Sequence, residues 1–337
     1  MDVALMYEMF RAEDNPEKKL NTIINTGNLI HIYATANLLN ANQVDYRDFD
    51  FLSKCSAVVT PVMCWIREND DISGWTEWAD TCLGDIPLIP LPLGLITGHK
   101  KSDFTLHPQT VKCIAKFAEK AVIGVRGYYS AEILNKYGIK NLQVIGCPSL
   151  YLNLDRGLMV RSSSSKPHST VVNYRTFWKK PGDKDWGFLL WAAKNNVSFV
   201  EQTGKLWNPH HFSDDASIAL ANWLNEKERL FLDVGEWRKY IRKHDFSMGQ
   251  RMHGNIVALW EGIPSLFMTM DTRMEELCEF FHLPSMGARD FDAEKPVEYY
   301  YELADYTEFN KHYHTCLNEF YTFIAKNHLE LPNSFTK

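Results

Sequence analysis

Residues 245–284, DFSMGQRMHGNIVALWEGIPSLFMTMDTRMEELCEFFHLP, place two strand-to-helix junctions within forty residues, and few folds can accommodate that. The apolar run 246–248 stops at Gly249, and after Arg251, Met252, His253 and Gly254 the positions Ile256, Val257, Leu259 and Trp260 recur at helical spacing. Gly262 and Pro264 end that helix. Residues 265–270, SLFMTM, predict a buried strand, and Thr272 followed by Glu275 predicts a capping box that starts the next helix. The segment is a β-α-β-α unit, and such units place ligands beyond the carboxyl ends of their strands, against helix N-termini. Arg251 and His253 mark the first junction, Asp271 and Arg273 the second. Arg251 and His253 can share a ligand only if one of them stands in the turn, because residues two apart on a helix diverge. A guanidinium fork beside an imidazole points to an anionic ligand, although both side chains also suit a solvated helix start.

The rest of the chain repeats the theme. Asn25, Thr26, Gly27 and Asn28 form a polar turn before the apolar-periodic helix LIHIYATANLL; an Asx turn and a ligand-facing helix start both fit it. After a polar opening, residues 57–61 predict a buried strand, and 86–95 an edge-like extended one, because of prolines 87, 90 and 92. Residues 110–120 predict a helix, and 121–125 a strand ending at Arg126, the first domain's counterpart of Arg251. The same residue would also suit an exposed arginine paired with Glu132. A helix from Ser130 to Tyr137 and a strand at 142–145 continue a doubly wound α/β pattern. Serine-rich residues 161–168 predict the linker, and strands at 170–173 and 197–200 open a second domain. His210 and His211 lack other ligands at metal-binding spacing.

The net charge of −6 argues against a nucleic-acid partner, which would need a basic face. Seven cysteines without a C-x-x-C pair suggest neither a disulfide framework nor structural zinc, and fit a reducing, cytoplasmic setting. Neither a signal peptide nor a membrane span is expected, so a lipid-linked substrate would be met from the membrane surface.

Three pieces, VIGVRGYYSAEILNKYGIKNLQVIGCPSLYL, RMHGNIVALWEGIPSLF and DTRMEELCEFFHLP, in this order and spacing resemble the polysaccharide pyruvyltransferase family. The Asn25–Asn28 turn is a weaker fourth match. Arg251, Met252 and His253 stand where the family has Arg-Leu-His or Arg-Phe-His, with methionine as a departure. The resemblance implies two Rossmann-like domains facing a cleft, similar to GT-B glycosyltransferases. Residues 1–160 would form the acceptor side, 168–303 the main phosphoenolpyruvate site, and 304–330 a helix crossing back to the first domain. It further implies transfer of pyruvate from phosphoenolpyruvate onto two hydroxyls of a sugar in a cell-surface or exopolysaccharide precursor, as a ketal, with no cofactor and no metal.

On that basis Arg126, Arg251, Met252 and His253 are expected to bind the donor, and Asn25, Gly27, Asn28, Asp271 and Arg273 to complete the site. His253 is the expected general acid, since ketal formation protonates the enol carbon and a nearby phosphate would raise an imidazole's pKa. A nucleotide-sugar glycosyltransferase and a non-catalytic anion-binding protein fit the same architecture.

Overall fold

A computed structural model describes residues 2–6, 25–61, 63–152, 160, 166–174, 186–202 and 215–332. Residues 161–165 of the expected linker, and His210 with His211, lie outside the described residues.

The first domain runs β1 (Val3–Met6), α1 (Asn28–Leu39), β2 (Asn42–Val44), α2 (Phe49–Leu52), β3 (Ala57–Thr60), α3 (Gly74–Cys82), β4 (Leu88–Pro90), α4 (Pro108–Lys120), β5 (Ile123–Val125), α5 (Tyr128–Lys136) and β6 (Leu142–Val144). Strands pair in parallel in the order β2-β1-β3-β4, and a single bridge from Leu93 to Val125 joins this ribbon to the parallel pair β5-β6. Every residue of β1 is buried: Val3 and Leu5 enter one apolar cluster, Ala4 and Met6 the other. A strand covered on both faces is what helices on either side of a parallel sheet require.

The second domain runs β7 (Thr170–Tyr174), α6 (Trp186–Lys194), β8 (Ser198–Glu201), α7 (Asp215–Lys227), β9 (Glu228–Leu230), α8 (Val234–Ile241), β10 (Phe246–Gly249), α9 (Met252–Trp260), β11 (Ser265–Thr269), α10 (Thr272–Phe281), β12 (Ser285–Gly287), α11 (Val297–Glu302) and α12 (Thr307–Lys326). Its parallel sheet has the order β9-β8-β7-β10-β11-β12, the doubly wound Rossmann order, with the direction of winding reversing between β7 and β10. The two Rossmann-like domains meet at the carboxyl ends of β5 and β10, where Arg126 approaches Met252. One apolar cluster is continuous through both, from Val3 and Leu5 to Phe246 and Phe267. Among the described residues no helix is long and apolar enough to cross a membrane.

α12 packs on both domains. Its Phe320 stacks on Tyr151 of the first domain at 4.4 Å, and the Cys316 thiol donates to the Phe280 carbonyl of α10 at 3.2 Å.

Two expectations are corrected and one holds. Within the polar opening, Val3–Met6 form an interior strand, β1. The proline-rich segment keeps its expected edge-like place: β4 ends its four-stranded sheet, paired with β3, with Pro90 in the strand and prolines 87 and 92 just outside it, and beyond it Leu93 makes the isolated bridge to Val125. Thr272 does not cap α10; Asp271 does, accepting from the N–H groups of Arg273 and Met274, while the Thr272 hydroxyl donates to the Leu95 carbonyl at 2.9 Å.

Candidate functional site

The β10-to-α9 turn lies at the point where the second sheet changes winding direction. Gly249 has φ +152°, and a side chain there would put its Cβ 1.9 Å from the Asn173 carbonyl oxygen, so only glycine fits. Asn173, at the end of β7, holds the turn in shape. Its backbone carbonyl accepts from Gln250 N at 3.1 Å, its Oδ1 accepts from Arg251 N at 2.8 Å, and its Nδ2 donates to Asn255 Oδ1 at 2.6 Å. Asn255 in turn donates to the Gly249 carbonyl at 3.1 Å and accepts from the Ser247 hydroxyl at 2.9 Å. Held this way, Arg251 is the extended N-cap of α9 and His253 its second helical residue. Arg251 therefore stands in the turn, and its Nη2 donates 2.7 Å to Asn25 Oδ1 of the first domain.

The first domain supplies two pieces. In the turn before α1, Asn25 Oδ1 accepts from Gly27 N at 3.1 Å, an Asx turn, and Thr26 N donates to the Gln202 carbonyl at the end of β8, 2.6 Å away. Asn25 Nδ2 lies 3.4 Å from Asn28 Oδ1. A Cβ on Gly27 would stand 2.5 Å from Gln202 Oε1 and 3.2 Å from His253 Nδ1, so the absence of a side chain lets this turn sit against the imidazole. The second piece is Arg126, at the end of β5. It is 1% exposed, not the surface arginine its sequence position also allowed, and Glu132 pairs instead with Lys136. Arg126 Nη1 lies 3.2 Å from Met252 Sδ across the domain boundary, and no carboxylate among the described residues is within ion-pair distance of it. Next to it, Ser130 donates from both N and Oγ to Glu276 of α10, at 3.0 and 2.8 Å.

The electrostatics follow from burial. The His253 pKa is held well below its ordinary value by desolvation first, then by His31, Arg126, Arg251 and Arg273, so the unloaded site holds a neutral imidazole. His31, on α1, is lowered to about 3 by burial and by Arg126. Burial pushes the Glu276 carboxyl up to about 7, against the pull of the Ser130 bonds and Arg126. Among the described residues, five buried side-chain atoms here have no hydrogen-bond partner: Thr26 Oγ1, His31 Nδ1, Arg126 Nε, Gln202 Nε2 and His253 Nε2. Folded proteins satisfy nearly all such atoms, so a group of them from several elements marks a place built for a polar ligand.

The structure thus brings together Asn25, Gly27, Arg126, Arg251, Met252 and His253. Asp271 and Arg273 stand apart in role: their side chains pair with each other at 2.7 Å while Asp271 caps α10. Arg273 still acts on His253 through its charge. Sequence reasoning missed Asn173, Gln202, Asn255, Glu276 and His31. Asn173 and Gln202 carry a signal, a polar residue at or just past the end of an apolar strand; a buried histidine within an apolar helix is a weaker one.

A two-domain α/β protein with buried cationic and imidazole groups where its domains meet is the class that fold and site define. Residues 25–272, about three quarters of the chain, match the polysaccharide pyruvyl transferase family, and the chain belongs to that family of transferases. No curated protein matches. Among solved structures it is similar to S. aureus MnaA in a structure with UDP, at 11% identity, covering 97% of this chain and 99% of that one, with a TM-score of 0.48. The UDP-GlcNAc 2-epimerase of Neisseria meningitidis bound to UDP-GlcNAc gives 10% identity, 99% and 96% coverage and a TM-score of 0.42. The wall teichoic acid polymerase TagF, in its H444N variant, gives 11% identity, 100% and 86% coverage and 0.41.

Proposed function

We propose that the protein transfers the pyruvyl group of phosphoenolpyruvate onto two hydroxyls of a saccharide, forming a ketal and releasing phosphate. The observation that carries this reading is Arg126, a fully buried guanidinium with no carboxylate in ion-pair contact among the described residues, beside a neutral imidazole. Burial strips this cation of hydration, Glu276 and Asp271 offset that only through space, and an anionic ligand would bond it directly. Phosphoenolpyruvate brings a carboxylate and a phosphate, and arginines from two domains suit both. Its charge would also reverse the pressure on His253, raising the imidazole's pKa so that it can protonate the enol carbon. Met252 would pack beside the donor. The reaction calls on no redox step, and guanidinium groups neutralise the leaving phosphate, so we propose phosphoenolpyruvate as donor without a cofactor. The acceptor would belong to a cell-surface or exopolysaccharide precursor, met in the cytoplasm or, when lipid-linked, at the membrane surface.

The test is incubation of the protein with phosphoenolpyruvate and a panel of free and lipid-linked saccharides. Mass spectrometry should find a saccharide carrying one pyruvate ketal, with equimolar phosphate released. Glycosyl transfer from a nucleotide sugar, with no turnover of phosphoenolpyruvate, would overturn the reading.

A further inference from the structure

His31 faces His253 across the domain boundary, one imidazole from α1 and one from α9. Their ring centroids are 5.1 Å apart with the planes inclined at 64°. His31 is 4% exposed and His253 8%, so bulk water has little access to either. Among the described residues, His31 Nδ1 and His253 Nε2 both lack a hydrogen-bond partner. The groups that act on the charge of His253 are His31, Arg126, Arg251 and Arg273; on His31 it is Arg126. A guanidinium does not give up its proton in a protein. Of these neighbours His31 alone can exchange one.

We propose that His31 is the second proton carrier of the site, returning to His253 the proton that His253 delivers to the donor. The inference rests on the pyruvyl-transfer reading. In that reaction the first acceptor hydroxyl forms a bond to C2 of the enolpyruvate while C3 gains a proton and the C2–C3 double bond becomes single. The hydroxyl's own proton has to leave, and the acid has to be recharged. His31 would take the first proton and pass it to His253. The second hydroxyl then bonds to C2 as the C2–O bond to phosphate breaks, and its proton leaves on hydrogenphosphate, so nothing further is required. A neutral His31, as burial keeps it, is the form a base needs.

The experiment is His31→Gln, which keeps a hydrogen-bonding side chain but removes the proton carrier; His31→Leu serves if Gln does not fold. With the acceptor found by the saccharide screen, kcat should fall roughly 10²-fold or more while the donor KM changes little. Added imidazole should restore part of the turnover, which it could not do for a packing defect. Unchanged kcat, or a loss of kcat and donor binding together with no response to imidazole, overturns the relay and leaves the transfer reading standing. Absence of ketal from the wild-type protein overturns the transfer reading itself. A second arm does not depend on the acceptor: inorganic phosphate is titrated by calorimetry in two buffers of different ionisation enthalpy. The wild type should take up protons on binding, and His31→Gln fewer at the same pH. Equal uptake removes His31 from the proton traffic, and a wild type that binds no phosphate overturns both ideas.

Discussion

The two strand-to-helix turns that present cationic groups are built on opposite plans. The turn carrying Arg251 and His253 is fixed from within its own sheet, by Asn173, Ser247 and Asn255 around Gly249. The turn carrying Arg126 is fixed largely by the other domain. A Cβ on Gly127 would stand 2.5 Å from the Cβ of Glu276, the Glu276 carboxyl receives both Ser130 donors, the Thr272 hydroxyl donates to the Leu95 carbonyl, and Thr272 N donates to the Thr97 carbonyl. One side of the site is therefore preformed, whereas the other is in place only when the domains are together. Local asparagine networks give rigidity; long-range contacts give dependence on closure.

The sharpest way to break this contrast is a pair of glycine substitutions. Gly249→Ala combines a left-handed backbone with a clash against backbone, and should destabilise the second domain by more than about 3 kcal/mol in chemical denaturation. Gly127→Ala, unstrained at φ −168°, meets the root of the Glu276 side chain at 2.5 Å and the Glu276 carbonyl oxygen at 2.9 Å, and should push the domains apart with a smaller loss because its backbone needs no left-handed conformation. Equal losses would refute the two-plan view. Next in size, His253→Gln should lower saturating turnover by roughly 10² to 10⁴ with donor affinity largely kept. If affinity falls instead and turnover survives, His253 is a phosphate binder.

Asn173→Ala should have a smaller effect, about 2 kcal/mol of stability, because Arg251 N and Asn255 Oδ1 lose a partner. It should also weaken phosphate binding through Arg251 while leaving Arg126 in place. Smallest is a pH effect at Glu276. Its carboxyl rises from an ordinary 4.5 to about 7 in the folded protein, so the fold favours the protonated form. That contribution is complete below 4.5 and is lost as pH rises through about 7. The histidines act in the opposite sense, since His31 and His253 are folded neutral and their contribution is lost as pH falls below 6.5. The difference between wild type and Glu276→Gln in thermal stability across that window isolates the carboxyl. A flat difference would mean the domain contact does not titrate.

What the sequence disclosed was local. The β-α-β-α unit at 245–284 could be read because helical spacing and its stop signals lie within a few residues of one another. β1 could not: four apolar residues beside a polar stretch carry no alternation, and only two flanking strands and two covering layers make them central. Arg126 and Arg251 were visible as polar residues after strands, but the bond from Arg251 to Asn25 spans 226 positions and that from Ser130 to Glu276 spans 146. His31 and Glu276 matter through such contacts, which no periodicity encodes. The capping residue of α10 was misplaced by one position because Asp271 and Thr272 are both good caps, and the choice was settled by a carbonyl 177 residues away.

The returning helix α12 bears on how the chain is made. Asn327, just after it, exchanges hydrogen bonds with Val122 at 2.8 and 3.1 Å, and Phe323 lies over Gly124, so residues near the end of the sequence cover the β5-β6 corner of the first domain. Domains commonly fold in order as they leave the ribosome. Here that corner cannot be buried until a residue 205 positions beyond Val122 has been translated. Arg126, one residue past β5, would reach its final setting only after that.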